Sequence, residues 1–230
     1  MNRSQLRPWY AWPVVVLDFE TTGPDPKSCQ PVELGVVRFE QGHPVQRWSS
    51  LINPGCPIPP AATAVHGITD ADVASAPTFA KAWWEFIAAG LLARAVPCAY
   101  NHGFDRAILH RLAAEDRREH ALRRDLPWLD PLVVVRHLDR FVRGAGRHKL
   151  AAVCARRGIP LAAAHRSLGD AEATGRLLYA LQPDIGDMTV CELLRRQELR
   201  AVEQDREFAE WQARQPPTPP PSSSKGDTTP

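Results

Sequence analysis

No stretch of this chain approaches the roughly 20 consecutive apolar residues that a membrane-spanning helix requires. That excludes a helical membrane protein and leaves no membrane among the expected partners. Cysteine is scarce: Cys29, Cys56, Cys98, Cys154 and Cys191 are scattered, odd in number, and never at metal-ligand or redox spacing. A disulfide-stapled scaffold is excluded, and the thiols read as reduced residues in or near the core of a cytoplasmic protein. Neither sign of charge is in surplus, since 28 Lys and Arg face 26 Asp and Glu for a net +2. Net charge therefore neither argues for nor excludes a nucleic-acid partner. There is no internal repeat. The opening MNRSQLRPWYAWP is polar and broken by proline, so a secretory signal is not expected. What remains is ordinary globular composition, 44% hydrophobic and 23% charged. That composition excludes a fully disordered chain, a fibrous protein and a coiled-coil rod.

The order of signals along the chain gives the fold class. An apolar run at 14–20 is followed at short intervals by strand-like segments at 32–39 and 48–52, as a meander requires. Residues 76–92 carry helical periodicity through Phe79, Trp83, Phe86 and Ile87. Residues 96–100 are strand-like again, and 104–115, 150–157 and 168–181 read as helices. Three antiparallel strands, then helices interleaved with further strands, predict an α/β domain on a mixed sheet. We divide the chain into an N-terminal extension (1–11), the main domain (12–182), a C-terminal helical extension (183–215) and a disordered Pro/Ser-rich tail (216–230). The tail lacks the large apolar residues needed to offset the entropy of ordering. The helix over 189–215 is expected to pack back on the domain, with projection to a partner as the alternative.

The informative segment is Val14-Val15-Val16-Leu17-Asp18-Phe19-Glu20-Thr21-Thr22-Gly23. Strand side chains alternate, so Asp18 and Glu20 share a face while Phe19 points to the other. Two carboxylates this close repel unless a cation sits between them, and hard oxygen ligands suit Mg²⁺ or Mn²⁺. A bare D-x-E is more often the solvated end of an edge strand. D-x-E-T-T-G after an apolar strand is not, because five fixed positions at about 5% each occur by chance in about one chain in ten thousand of this length.

D-F-E-T-T-G resembles the first motif of the DnaQ-like 3′–5′ exonucleases of the DEDDh group, to which the epsilon proofreading subunit of bacterial DNA polymerase III belongs. Two further motifs follow in the order that the resemblance requires. Asn101-His102-Gly103-Phe104-Asp105 is similar to N-A-x-F-D, departing from it at His102-Gly103. His165-Arg166-Ser167-Leu168-Gly169-Asp170 is similar to H-x-x-x-x-D, with serine where alanine is common. Val65-His66-Gly67-Ile68-Thr69 matches a segment between the first two motifs, read here as a loop ahead of a helix capped by Thr69 or Asp70. Trp128-Leu129-Asp130 resembles the strand after the second-motif helix, with Asp130 structural. The resemblance spans about 14–181.

The resemblance implies a ribonuclease-H-like fold: a five-stranded mixed sheet flanked by helices. It implies a metal-dependent 3′–5′ exonuclease releasing nucleoside monophosphates from DNA, in proofreading or repair. Asp18, Glu20, Asp105 and Asp170 are the implied ligands of two divalent cations, Mg²⁺ or Mn²⁺, and His165 is the implied base. Thr21, Thr22, Asn101 and Phe104 are the implied substrate contacts. Single-stranded or frayed 3′ ends of DNA are the expected partner, since a paired end must first melt. A polymerase or replication partner is expected through the C-terminal region, although no clamp-binding or polymerase-binding signature stands in 182–230. Arg143, Arg147, His148 and Lys149, in a glycine-containing loop, are candidates for phosphate contact, with a solvated loop as the alternative. Arg117, Arg118, Arg123 and Arg124 are weaker candidates of the same kind. Two other readings stand beside this one: an RNA or short-oligonucleotide exonuclease using the same residues, and a polymerase-associated scaffold.

Overall fold

The valine-rich run becomes strand β1 (Val14–Thr21), and its Val14 to Leu17 are buried on both faces of the sheet. The computed structural model describes residues 7–115, 127–142, 144–161 and 165–214. The tail at 216–230, Arg143, and the arginines 117, 118, 123 and 124 lie outside the described residues. Strands β2 (Pro31–Glu40) and β3 (His43–Leu51) complete an antiparallel meander. Between them Gln41 and Gly42 both have positive φ, 51° and 85°, the backbone that a two-residue hairpin turn demands. Helices α1 (Pro60–His66), α2 (Asp70–Val73) and α3 (Phe79–Ala88) then carry the chain across to β4 (Val96–Cys98). β4 lies parallel to β1, and the strand order is β3-β2-β1-β4.

The fifth expected strand is reduced to one parallel bridge, Leu129 to Cys98. Leu129 donates its N–H to Pro97 O at 2.9 Å and accepts from Ala99 N at 3.1 Å. Pro127 and Pro131, two residues either side, lack the N–H groups that a longer ladder needs. Among the described residues the mixed sheet is therefore four-stranded, with helices on both of its faces. After β4 come α4 (His102–Glu115), α5 (Pro131–Leu138), α6 (Leu150–Arg157), α7 (Ser167–Ala180), α8 (Gln182–Ile185) and α9 (Val190–Ala213).

Alternation along β1 feeds two cores. Val15, Leu17 and Phe19 meet Ala82, Trp83 and Phe86 of α3. Val14 and Val16 meet Val134 and Val135 of α5, Val153 of α6 and Leu177 of α7. Asp18 and Glu20 continue this second series, on the α7 side. α7 lies tight against β2 because two glycines let it. A Cβ on Gly35 would stand 2.3 Å from the backbone of Ser167 and Leu168, and one on Gly175 would stand 2.1 Å from the Phe39 ring.

Both flanks of the domain are tied down. Trp9, in the segment expected as an extension, is fully buried, and its N–H donates to Met188 O at 2.8 Å. α9 opens with a Thr189–Glu192 capping box and packs back on α5 along its first half, burying Leu193 and Gln197. Its second half leaves Phe208 and Trp211 exposed and stacked on each other. Cys29, Cys98 and Cys154 are buried, while Cys56 and Cys191 are exposed. No helix among the described residues is long and apolar enough to cross a membrane.

Candidate active site

β1 and β4 run parallel, so both deliver their carboxyl ends to one rim of the sheet. Asp18 and Glu20 project there from β1. Asp170 comes from the first turn of α7, and Asp105 from the first turn of α4. Carboxylate oxygens of Asp18, Glu20 and Asp170 all lie within 4.8 Å of one another. Asp105 is buried behind them, its Oδ1 accepting the N–H of Phe19 at 3.2 Å.

These acids raise one another's affinity for protons. Burial pushes Asp18 far above the usual carboxylate range, and Asp105, Asp170 and Glu20 add to the push. Glu20 is raised to about 7, by burial first and then by Asp170 and Glu33. Asp105 is raised to about 8, chiefly by burial. Burial raises Asp170 as well, opposed by the amide and ring of His165. Negative charge so concentrated is stable only with protons or cations among it. An all-carboxylate donor set of this kind fits a hard divalent cation.

A fifth carboxylate escaped the sequence reading. Glu33 faces Glu20 across the β1–β2 ladder and is 4% exposed. Arg166 donates to both its oxygens, with Nη2 at 2.6 Å and Nε at 3.2 Å, and the N–H of Ser167 donates at 2.9 Å. Burial alone would raise Glu33, but these donors outweigh it and hold the group below its ordinary value. Glu33 and Arg166 thus clamp the start of α7 to β2 and place Asp170 beside Asp18. A glutamate inside the apolar run of β2 is the signal that marks it.

The other candidate residues are placed as follows. His165 is exposed, has a left-handed φ of 63°, and uses its backbone N–H to hold Asp170 Oδ2 at 3.1 Å. Thr21 donates its hydroxyl to Gly23 O at 2.8 Å, and Thr22 accepts the N–H of Gln30 at 2.9 Å, so both hydroxyls brace the turn after β1. Asn101 is left-handed at φ 64°, a conformation asparagine tolerates better than most. Its N–H donates to Asp130 Oδ1 at 3.0 Å, and its carbonyl accepts from Phe104 N at 3.0 Å. Phe104 is half-buried against Cys29, Ile108 and Leu112. Asp130 is structural, as its sequence context suggests: it N-caps α5 and also accepts from His102 N and Nδ1. Val65 and His66 close α1 instead of forming a loop, with Gly67 as a left-handed cap, and Thr69 caps α2. His66 is buried near the site, its Nε2 without a hydrogen-bond partner among the described residues.

The model of the exonuclease family RNase_T matches residues 15–178. The chain belongs to this exonuclease family. Its members are nucleases, hydrolases of phosphodiester bonds, and the matched span holds every carboxylate of the cluster. A DNA polymerase III subunit epsilon-like protein of Rhodobacter capsulatus is 39% identical over 177 residues, covering 74% of this chain. The chain spans 23% of that relative's length. Two solved structures share the ribonuclease-H-like exonuclease fold. Exonuclease X in complex with 5′ overhanging duplex DNA is 23% identical, with a TM-score of 0.59 over 79% of this chain and 99% of its own. The nuclease domain of 3′hExo, a DEDDh family member bound to rAMP, is 16% identical, with a TM-score of 0.65 over 78% of this chain and 96% of its own.

Proposed function

We propose that this exonuclease domain hydrolyses the phosphodiester bond at the 3′ end of DNA and releases nucleoside monophosphates. The convergence of Asp18, Glu20 and Asp170 oxygens within 4.8 Å, from segments some 150 residues apart in sequence, carries the reading. Asp18, Glu20, Asp105 and Asp170 would hold two divalent cations, Mg²⁺ or Mn²⁺. Bound there, such ions supply a water acidified at neutral pH and charge stabilisation for the leaving 3′ oxygen. The residues of the chain do the rest. His165 sits exposed beside Asp170, where an imidazole takes the proton of the attacking water. The braced turn at Thr21 and Thr22, together with Asn101 and Phe104, would border the terminal nucleotide.

The epsilon-like relative supports placing this activity beside DNA synthesis, in proofreading or repair, with a polymerase as partner. A 5′-labelled single strand, incubated with Mg²⁺ or Mn²⁺, is expected to shorten one nucleotide at a time from its 3′ end. Asp18→Ala is expected to abolish the release while the circular dichroism of the protein stays unchanged. A labelled RNA strand in the same assay decides the nucleic acid: faster release from RNA would replace the DNA reading. No release from either strand would leave the domain as a binding module.

A further inference from the structure

Two helices outside the catalytic cluster bring several cations together, with Glu203 the acid that opposes them. α5 closes on Arg136 and His137, and Arg140 follows in the turn. α9 packs against α5 and carries Arg196 and Arg200 one turn apart. Hydrogen bonds from Gln197 to Trp128 O and from Gln204 to Val133 O fix the face of α9 that meets α5. Arg200, three residues after one and four before the other, lies on that face. Among the described residues none of these cations has a carboxylate at ion-pair distance, whereas nearby Arg156 and Arg157 share Asp139.

The crowding is felt by the side chains themselves. His137 is pushed down by burial and then by Arg200, Arg196 and Arg140, opposed by Glu203. Arg200 is lowered by burial and by Arg196, again opposed by Glu203. Like charges held together cost stability until an anion joins them. Beside them Phe141 is 76% exposed, with the Arg140 guanidinium 4.8 Å from its ring centroid. An exposed ring paired with arginine is a platform on which a base stacks.

We propose that this face binds the backbone of a nucleic-acid strand outside the catalytic cluster, with Arg140, Arg196 and Arg200 on phosphates and Phe141 under a base. This rests on the exonuclease reading for its choice of polyanion. α5 connects the two places. Its first residue follows Asp130, which holds the turn before Asp105, and its eight residues span about 12 Å. The basic end of α5 thus lies about one helix length from the turn that Asp130 holds.

The test measures two things on the whole chain. Binding of a fluorescent 20-nucleotide single strand is read by anisotropy in chelator, where no cleavage occurs, across a salt series. Hydrolysis of the p-nitrophenyl ester of thymidine 5′-monophosphate with Mn²⁺ reads the catalytic cluster alone. Arg196→Ala/Arg200→Ala is expected to bind the strand at least tenfold more weakly and to flatten the log–log salt slope by about 1.4, at about 0.7 per lost phosphate contact. Phe141→Ala, in an exposed turn, is expected to weaken binding about fivefold or more. Both should hydrolyse the ester at the wild-type rate. Unchanged strand affinity in both variants would overturn the proposal. So would tight wild-type binding of a polyglutamate peptide that competes with the strand only at this face and leaves nuclease rates untouched. If wild type binds the strand and the variants do not, yet no ester is cleaved, this surface stands and the exonuclease reading falls.

Discussion

Asp18 stands among like charges: Asp105, Asp170, Glu20 and Glu33 all oppose its ionisation. Removing that charge should help the metal-free fold. Asp18→Asn is expected to raise the melting temperature in chelator by about 2–4 °C, the equivalent of ~1 kcal/mol in a domain this size. The same variant should lower nucleotide release by at least about a thousandfold. The raised acids also set a pH dependence. Groups that hold protons more tightly folded than unfolded make stability fall as pH rises. The loss begins above the ordinary carboxylate value and continues as pH passes Glu20 at about 7 and Asp105 at about 8, with Asp18 raised as well. Thermal melts in chelator from pH 5 to 9 should show this decline, and added Mn²⁺ should flatten it. At this scale the sequence was informative where chemistry is local. Asp18 and Glu20 lie two apart in one strand, so their shared face follows from strand geometry alone. Glu33 shows in the sequence only as a lone acid in an apolar strand; its role was not readable because Arg166, which holds it, reaches it from 133 residues away.

Elements place those residues by how closely they approach. Gly35 pairs with Asp18 and touches the backbone at the start of α7, so a methyl there has nowhere to go. Gly35→Ala is expected to cost about 1–3 kcal/mol. It should also cut kcat by about a hundredfold, because it lifts Asp170 and His165 off the cluster. Gly175→Ala, crowding Phe39 further along the same helix, should cost comparable stability with a much smaller effect on kcat. Denaturant melts and nucleotide release on the pair separate packing from positioning. The meander was legible because its strands are local and the first two are dense apolar runs. α1 was not: Pro60-Ala-Ala-Thr-Ala carries no apolar stripe, and the helix is held by what Ile58 and Ile68 beside it bury. The fifth strand was overestimated because the motif announces a strand, while its flanking prolines permit a single bridge.

The whole molecule is tied together through its ends. Gln197 accepts the N–H of Asp130 at 2.7 Å and donates to Trp128 O at 2.9 Å, so α9 closes over the same aspartate that holds the turn before Asp105. Gln197→Ala leaves those buried backbone groups unpaired and is expected to cost about 1–3 kcal/mol in urea unfolding. Neither the burial of Trp9 nor this link was readable from sequence, since both depend on long-range docking. The same architecture leaves native thiol chemistry two sites, Cys56 and Cys191. With Cys56→Ser, a maleimide fluorophore would report from Cys191 alone. Riding one turn ahead of Arg195 and Arg196, that dye turns the C-terminal helix into an optical sensor for whatever docks there, with the catalytic acids untouched.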